Sequence, residues 1–251
     1  MQNLTFDKIL FLDIETVPQT NDYQSLDKEM QKLWETKHEQ IKARFPADST
    51  PEYGYLNSAG IFAEFGKICC ISVGVVFYRN GTMCFRSKSF AGTDERKILT
   101  DFSAMLTKSF SGADNNLCGH NIKEFDVPYI CRRLLINGMP IPKMLQIYGK
   151  KPWEINFLDT LDLWKFGDYK HFTSLKLLTH IFDIPSPKDD IDGSQVARVY
   201  YEENNIVRIA TYCEKDVLAT AQLLLKICGK LVIAAENVES TQKNTTNILS
   251  L

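Results

Sequence analysis

The chain has 251 residues, 44% of them hydrophobic, and its 29 Lys and Arg against 31 Asp and Glu leave a net charge of −2. That supplies one substantial core at the size of a single α/β domain, and it excludes a general basic footprint for duplex nucleic acid, so any nucleic acid would be held by a local groove. No stretch approaches the ~18 consecutive apolar residues of a membrane span, and seven cysteines without a Cys-x-x-Cys spacing argue for reduced thiols in a soluble, cytoplasmic protein with no membrane contact.

The first element is a strand over Lys8–Asp13, within Ile9-Leu10-Phe11-Leu12-Asp13-Ile14-Glu15-Thr16. Its apolar run carries Asp13 and Glu15 toward the strand's C-terminal end. Positions i and i+2 of a strand share a face, so two carboxylates about 7 Å apart, from ~3.3 Å of rise per residue, look into one pocket. Their repulsion calls for a cation, and a hard dication suits oxygen ligands. Spacing alone carries little, because Asp27-Lys28-Glu29 repeats it without a strand in front.

A polar insertion follows, at about 17–65. Leu26, Met30, Leu33, Trp34 and Ile41 are spaced as an amphipathic helix, read either as cover for the site's entrance or as a surface helix. Lys67–Tyr78 and Thr82–Phe90 are strand-like runs joined by Asn80-Gly81, an antiparallel hairpin. A helix over Asp94–Phe110 and a strand over Asn116–Gly119 come next.

The segment Gly119-His120-Asn121-Ile122-Lys123-Glu124-Phe125-Asp126-Val127-Pro128-Tyr129-Ile130 supplies a third acid. Pro128 is tolerated only in a first helical turn, so the helix toward Asn137 starts just before it and Asp126 falls near its N-terminus. As an isolated residue Asp126 also reads as a helix cap, and Asn121 as a turn residue. A short strand lies around Phe157–Leu161. Beyond it Lys165, Lys170, His171 and Lys176 are of a kind to track a phosphate backbone, but Asp159, Asp162 and Asp168 are interleaved with them, so the segment reads as a solvated mixed surface, and Thr173-Ser174-Leu175 begins a helix.

The last acid stands in Tyr212-Cys213-Glu214-Lys215-Asp216. The apolar spacing of Ile206, Ile209, Ala210, Cys213, Val217, Leu218, Ala221 and Leu224 is helical, and Tyr212 and Asp216, at i and i+4, share a face. Glu236–Leu251, rich in Asn, Ser and Thr, reads as a frayed tail behind a single domain of residues 1–235.

Together the three segments resemble the exonuclease motifs of the DEDD superfamily of 3′–5′ exonucleases, in its tyrosine-containing subclass. More narrowly, Phe11-Leu12-Asp13-Ile14-Glu15-Thr16 and Gly119-x-Asn121-Ile122-x-x-Phe125-Asp126-x-Pro128-Tyr129-Ile130 are similar to the proofreading domain of family-B DNA polymerases, and the expectation is a standalone exonuclease. The similarity runs from about Lys8 to about Leu225 and is weakest between Val17 and Phe65. The histidine subclass would place its histidine at the position of Thr211.

This resemblance implies a ribonuclease-H-like α/β fold, a mixed central sheet of three antiparallel strands and then parallel ones, flanked by helices. It implies two divalent ions, Mg²⁺ or Mn²⁺, with Asp13 bridging them, Glu15 and Asp216 completing the site of the nucleophile, and Asp126 on the leaving-group side. Tyr212, with an ordinary pKa near ~10, orients the attacking water. Thr16, Asn121 and Phe125 are the candidate substrate contacts. The implied substrate is a single-stranded 3′ end, DNA in preference to RNA, released as nucleoside 5′-monophosphates. The alternatives are an exoribonuclease of the ribonuclease D type and a non-catalytic nucleic-acid-binding module.

Overall fold

The computed structural model describes residues 4–168, 170–185 and 191–240. Among them, the strands β1 (Ile9–Pro18), β2 (Gly66–Arg79), β3 (Thr82–Ala91), β4 (Asn116–Gly119), β5 (Leu158–Asp159) and β6 (Val238–Ser240) form one sheet in the order β5-β4-β1-β2-β3-β6. β1 to β3 pair antiparallel in sequence, while β4 lies parallel to β1 and β5 parallel to β4. This is the mixed sheet of a ribonuclease-H-like α/β fold, as the motifs lead one to expect.

The helices are α1 (Lys28–Ile41), α2 (Pro51–Ser58), α3 (Glu95–Ser109), α4 (Asp126–Ile136), α5 (Thr160–Lys165), α6 (Leu175–Ile181), α7 (Val196–Tyr201) and α8 (Ile206–Ile227). Alternation along β1 divides them between the sheet's two faces. Leu10, Leu12 and Ile14 pack with Ile71 and Val73 against α3 and α4 through Leu99, Phe102, Ile130 and Leu134. Phe11, Val76 and Phe85 pack against Val217, Ala221 and Leu224 of α8. Each such side chain contributes on the order of 1.5–3 kcal/mol when buried.

β1 runs on through Glu15 to Pro18, so Asp13 and Glu15 lie inside the strand and not at its end. The extension is possible because the long β2 stays paired with it down to Gly66. β4 accompanies β1 only along Ile9, Leu10 and Phe11. Past Phe11 one edge of β1 is therefore left to the turn that follows Gly119. A Cβ at Gly119 would stand 3.0 Å from the Leu12 carbonyl oxygen and nearer still to Ile122, so glycine lets this turn lie against β1. On the other edge Glu15 pairs with Cys70 and Thr16 with Ile68, which leaves Cys69 as the extra residue of a bulge beside the acids.

The insertion folds as two helices around its own aromatic core. Trp34 and Tyr55, fully buried, gather Tyr23, Leu26 and Phe65, and the Trp34 indole donates to the Pro51 carbonyl at 2.7 Å. The periodicity of α1 is legible in the sequence, whereas α2 is too short and mixed to show. The reading of Glu236–Leu251 as a tail needs correction at its start. Val238–Ser240 adds a strand to β3, with Glu239 bonded to Arg79 at 2.5 Å and Arg86 at 3.0 Å. Residues 241–251 lie outside those described.

Candidate active site

Asp13 and Glu15 stand on the α8 side of β1, and Cys213 of α8 faces them. One ligand atom from each of these three residues lies within 4.8 Å of the others. The Cys213 thiol donates to Asp13 Oδ2 at 3.2 Å and lies 3.5 Å from the Asp13 carbonyl oxygen. Helix α8 is pinned by Glu214, whose buried carboxylate accepts from Ser87 Oγ at 2.6 Å and Ser89 Oγ at 2.8 Å on β3. That anchorage fixes the rotation of α8, and so directs Tyr212 and Asp216, one turn apart, to the acids.

Asp126 reaches the same place from the opposite edge. It opens α4, yet its side chain does not cap the helix. Oδ1 instead accepts the backbone N–H of Ile14 at 3.2 Å. The cap reading of Asp126 is thereby corrected: the N–H that a strand partner would have taken from β1 is taken by this carboxylate. Asp126 is 3% exposed and Glu15 8% exposed, so the acids pay heavily for ionising without a counter-charge.

Their proton affinities reflect that. Burial raises Asp13 well above the usual carboxylate range, and the charges of Asp126 and Asp216 raise it further. Burial likewise raises Glu15, with Asp13 and Asp216 adding to it. Asp126 is pushed up to about 7, chiefly by burial and then by the charge of Asp159, against the restraint of its N–H donors. Tyr212 is raised far above its ordinary value by burial and by Asp216, Glu15 and Asp13, and it is hydrogen-bonded to Asp216. Four acids and a tyrosine from three separate segments thus share one electrostatic neighbourhood.

Sequence reasoning missed two supporting residues. Cys213 is hidden among the apolar positions of α8 and carries no signal of its own. Asp159 does carry one, since it ends a short apolar strand and precedes Thr160 as Glu15 precedes Thr16. The reading of Asp159 as part of a solvated mixed surface is corrected: it is 3% exposed and accepts from the backbone N–H groups of Asn121 at 2.9 Å, Lys123 at 3.2 Å and Leu161 at 3.0 Å. It holds the turn that delivers Asp126, including Asn121 in the left-handed region at φ 69°.

Of the three candidate substrate contacts, Thr16 is hydrogen-bonded to the Tyr129 hydroxyl. Phe125 packs against the core with its ring centroid 5.6 Å from that of Tyr129. The side-chain amide of Asn121 has no bond among the described residues.

The family described as a predicted 3′–5′ exonuclease related to the exonuclease domain of PolB matches residues 62–250 of the chain. The matched segment contains Asp126, Tyr212 and Asp216 and begins after β1, α1 and α2. No curated protein matches.

Proposed function

Because the chain belongs to the family of predicted 3′–5′ exonucleases related to the exonuclease domain of PolB, we propose that it hydrolyses single-stranded DNA from the 3′ end to nucleoside 5′-monophosphates, using two divalent metal ions. The observation that carries the reading is the convergence of Asp13, Glu15, Asp126 and Asp216, with Tyr212, on one neighbourhood.

The donor set fits Mg²⁺ or Mn²⁺. Its oxygens are hard, and burial raises the proton affinity of Asp13, Glu15 and Asp126, with repulsion from the other acids adding to it for Asp13 and Glu15, the mark of a cluster short of positive charge. Asp13, Glu15, Asp126 and Asp216 would hold the ions. When bound, such ions neutralise the phosphate and the charge developing on the leaving oxygen. The Cys213 thiol, as donor to Asp13, orients that carboxylate without competing as a hard ligand.

Tyr212 keeps its proton, so it is no general base. Bonded to Asp216, its hydroxyl oxygen retains a lone pair that accepts from the attacking water and turns that water toward phosphorus. Attack on the last phosphodiester breaks the bond between phosphorus and the 3′ oxygen of the penultimate nucleotide. The 5′-phosphate leaves with the terminal nucleoside, and the strand keeps a 3′ hydroxyl. Thr16, Asn121 and Phe125 are the proposed substrate contacts, and of these the Asn121 amide makes no bond among the described residues. The unit is one exonuclease domain that carries the insertion and runs at least through β6 to Ser240, and seven free cysteines support a reducing, cytoplasmic setting.

The test is the purified chain with 5′-labelled single-stranded DNA, RNA and duplex, in magnesium, manganese or chelator. A ladder shortening from the 3′ end of DNA, abolished by chelator, is expected. Preferential shortening of RNA would move the reading to an exoribonuclease, and binding without shortening would move it to a non-catalytic module.

A further inference from the structure

Cys213 sits among the apolar positions of α8, yet its sulfur faces oxygen and not only carbon. It lies 3.2 Å from Asp13 Oδ2, and one donor atom each from Cys213, Asp13 and Glu15 falls within 4.8 Å of the other two. Glu15 is 8% exposed, and its carboxylate accepts no hydrogen bond among the described residues. A buried carboxylate without a donor is unsatisfied, and this one converges on the thiol and on Asp13. Asp13 is only half-buried, so an ion can reach the three from solvent.

The spacing suits one four-coordinate ion. Bonds of about 2.3 Å to sulfur and about 2.0 Å to oxygen, at a tetrahedral angle, hold two such donors about 3.5 Å apart. Cys213 Sγ and Asp13 Oδ2 already stand at 3.2 Å. Magnesium takes oxygen ligands and water and gains nothing from sulfur, whereas thiolate is among the preferred ligands of zinc. On binding, the Cys213 proton leaves to solvent, a sulfur–zinc bond replaces the S–H bond, and no electron changes hands. The sulfur keeps a hydrogen-bond partner in the Cys70 thiol of β2, which is bonded to it.

We propose that Cys213, with Asp13 and Glu15, forms a zinc site that overlaps the magnesium site and silences it. Sulfur draws the ion toward α8 and commits Asp13, the residue proposed to bridge two ions, to a single one. Zinc is thereby the tight inhibitor and magnesium the weaker competitor for the same carboxylates. The silencing rests on the exonuclease reading, whereas the zinc site rests on the geometry alone.

Cadmium, a stand-in for zinc, reads the sulfur directly. Titrated into the chelator-stripped full chain, kept reduced with a phosphine, it is expected to give an ultraviolet thiolate-to-cadmium charge-transfer band that saturates at a single equivalent. Zinc should erase the band, and excess magnesium should not. Cys213→Ser keeps a donor for Asp13 and should lose the band. In calorimetric titrations it should also lower the ratio of zinc affinity to magnesium affinity by about a hundredfold, the upper end of what an outer-shell change alone costs. A merely structural role for Cys213 would shift both affinities together. Glu15→Gln, which leaves the thiol in place, should weaken cadmium binding by about tenfold or more. No band in the wild-type chain, a band that survives Cys213→Ser, or an unchanged affinity ratio overturns the zinc site. The band and its expected losses in a chain that releases no nucleotide with magnesium support the site and sink the exonuclease reading. Magnesium-dependent release that zinc fails to inhibit keeps the exonuclease reading and overturns the silencing.

Discussion

Asp126 Oδ1 accepts the backbone N–H of Ile14, the residue between Asp13 and Glu15, at 3.2 Å. One carboxylate thus completes the strand's hydrogen bonding and stands among the acids, so fold and site are coupled at that point. Asp126→Asn and Asp126→Ala should separate the two roles. Asparagine keeps an acceptor for Ile14 and removes a charge, so its melting temperature in chelator should equal or exceed that of wild type. Alanine orphans a buried N–H and should be less stable than asparagine by roughly 1–3 kcal/mol. Both should lose nucleotide release by roughly a hundredfold or more. Equal stability of the two variants would show that the Ile14 bond contributes nothing.

The raised acids set a pH dependence for the metal-free protein. Asp13, Glu15 and Asp126 bind their protons more tightly folded than unfolded. A carboxyl raised on folding favours the native state fully below its unfolded pKa of ~4, and that advantage is lost as pH climbs through the folded value. For Asp126 that value is about 7. Melting temperature in chelator should therefore fall as pH rises from about 5 to about 8, and magnesium should flatten the slope by replacing the protons. Asp13→Ala and Asp216→Ala should abolish turnover without unfolding, and Asp13→Ala should make the slope shallower. A flat profile in chelator would mean that the acids are not mutually strained.

Tyr212→Phe should lower turnover substantially and leave metal affinity nearly unchanged, because the hydroxyl is proposed to align water and not to hold an ion. Since burial and three carboxylates keep the phenol protonated, the wild-type rate should show no tyrosine ionisation up to about pH 10, the ordinary value. Calorimetric metal titration beside pH–rate profiles checks both statements. Collapse of metal binding in the variant would assign Tyr212 a different role.

The parts of the site that local rules govern are legible in the sequence. Period two puts Asp13 and Glu15 on one face, Pro128 fixes where α4 begins, and the i, i+4 spacing sets Tyr212 over Asp216. What escapes depends on partners far along the chain. The end of β1 is set by its pairing with β2, beyond the reach of its own residues. β6, Val238-Glu239-Ser240, is too short to show in the sequence and is held by β3 and by Arg79 and Arg86. The bond from Asp126 to Ile14 spans 112 positions, and Asp159 acts on backbone groups of a turn that its own segment never touches in sequence.

Strand state and polarity follow from what the site lacks. A cluster of carboxylates has no donors arrayed to read base edges, and a net charge of −2 gives no attraction for the duplex phosphate array. Frayed or single-stranded 3′ ends should therefore be cut in preference to paired ones, with little dependence on sequence. If attack falls on the last phosphodiester as proposed, the product should carry a 5′ phosphate and the strand a 3′ hydroxyl. A substrate ending in a 3′ phosphate places an extra dianion near the acids and should be cut more slowly, as should one with a terminal phosphorothioate of the unfavourable stereochemistry. Product analysis on matched 12-mers measures each of these. Internal cleavage of circular single strands, or undiminished shortening from a blocked 3′ end, would show that attack is not directed to the 3′ terminus, however well the metals bind.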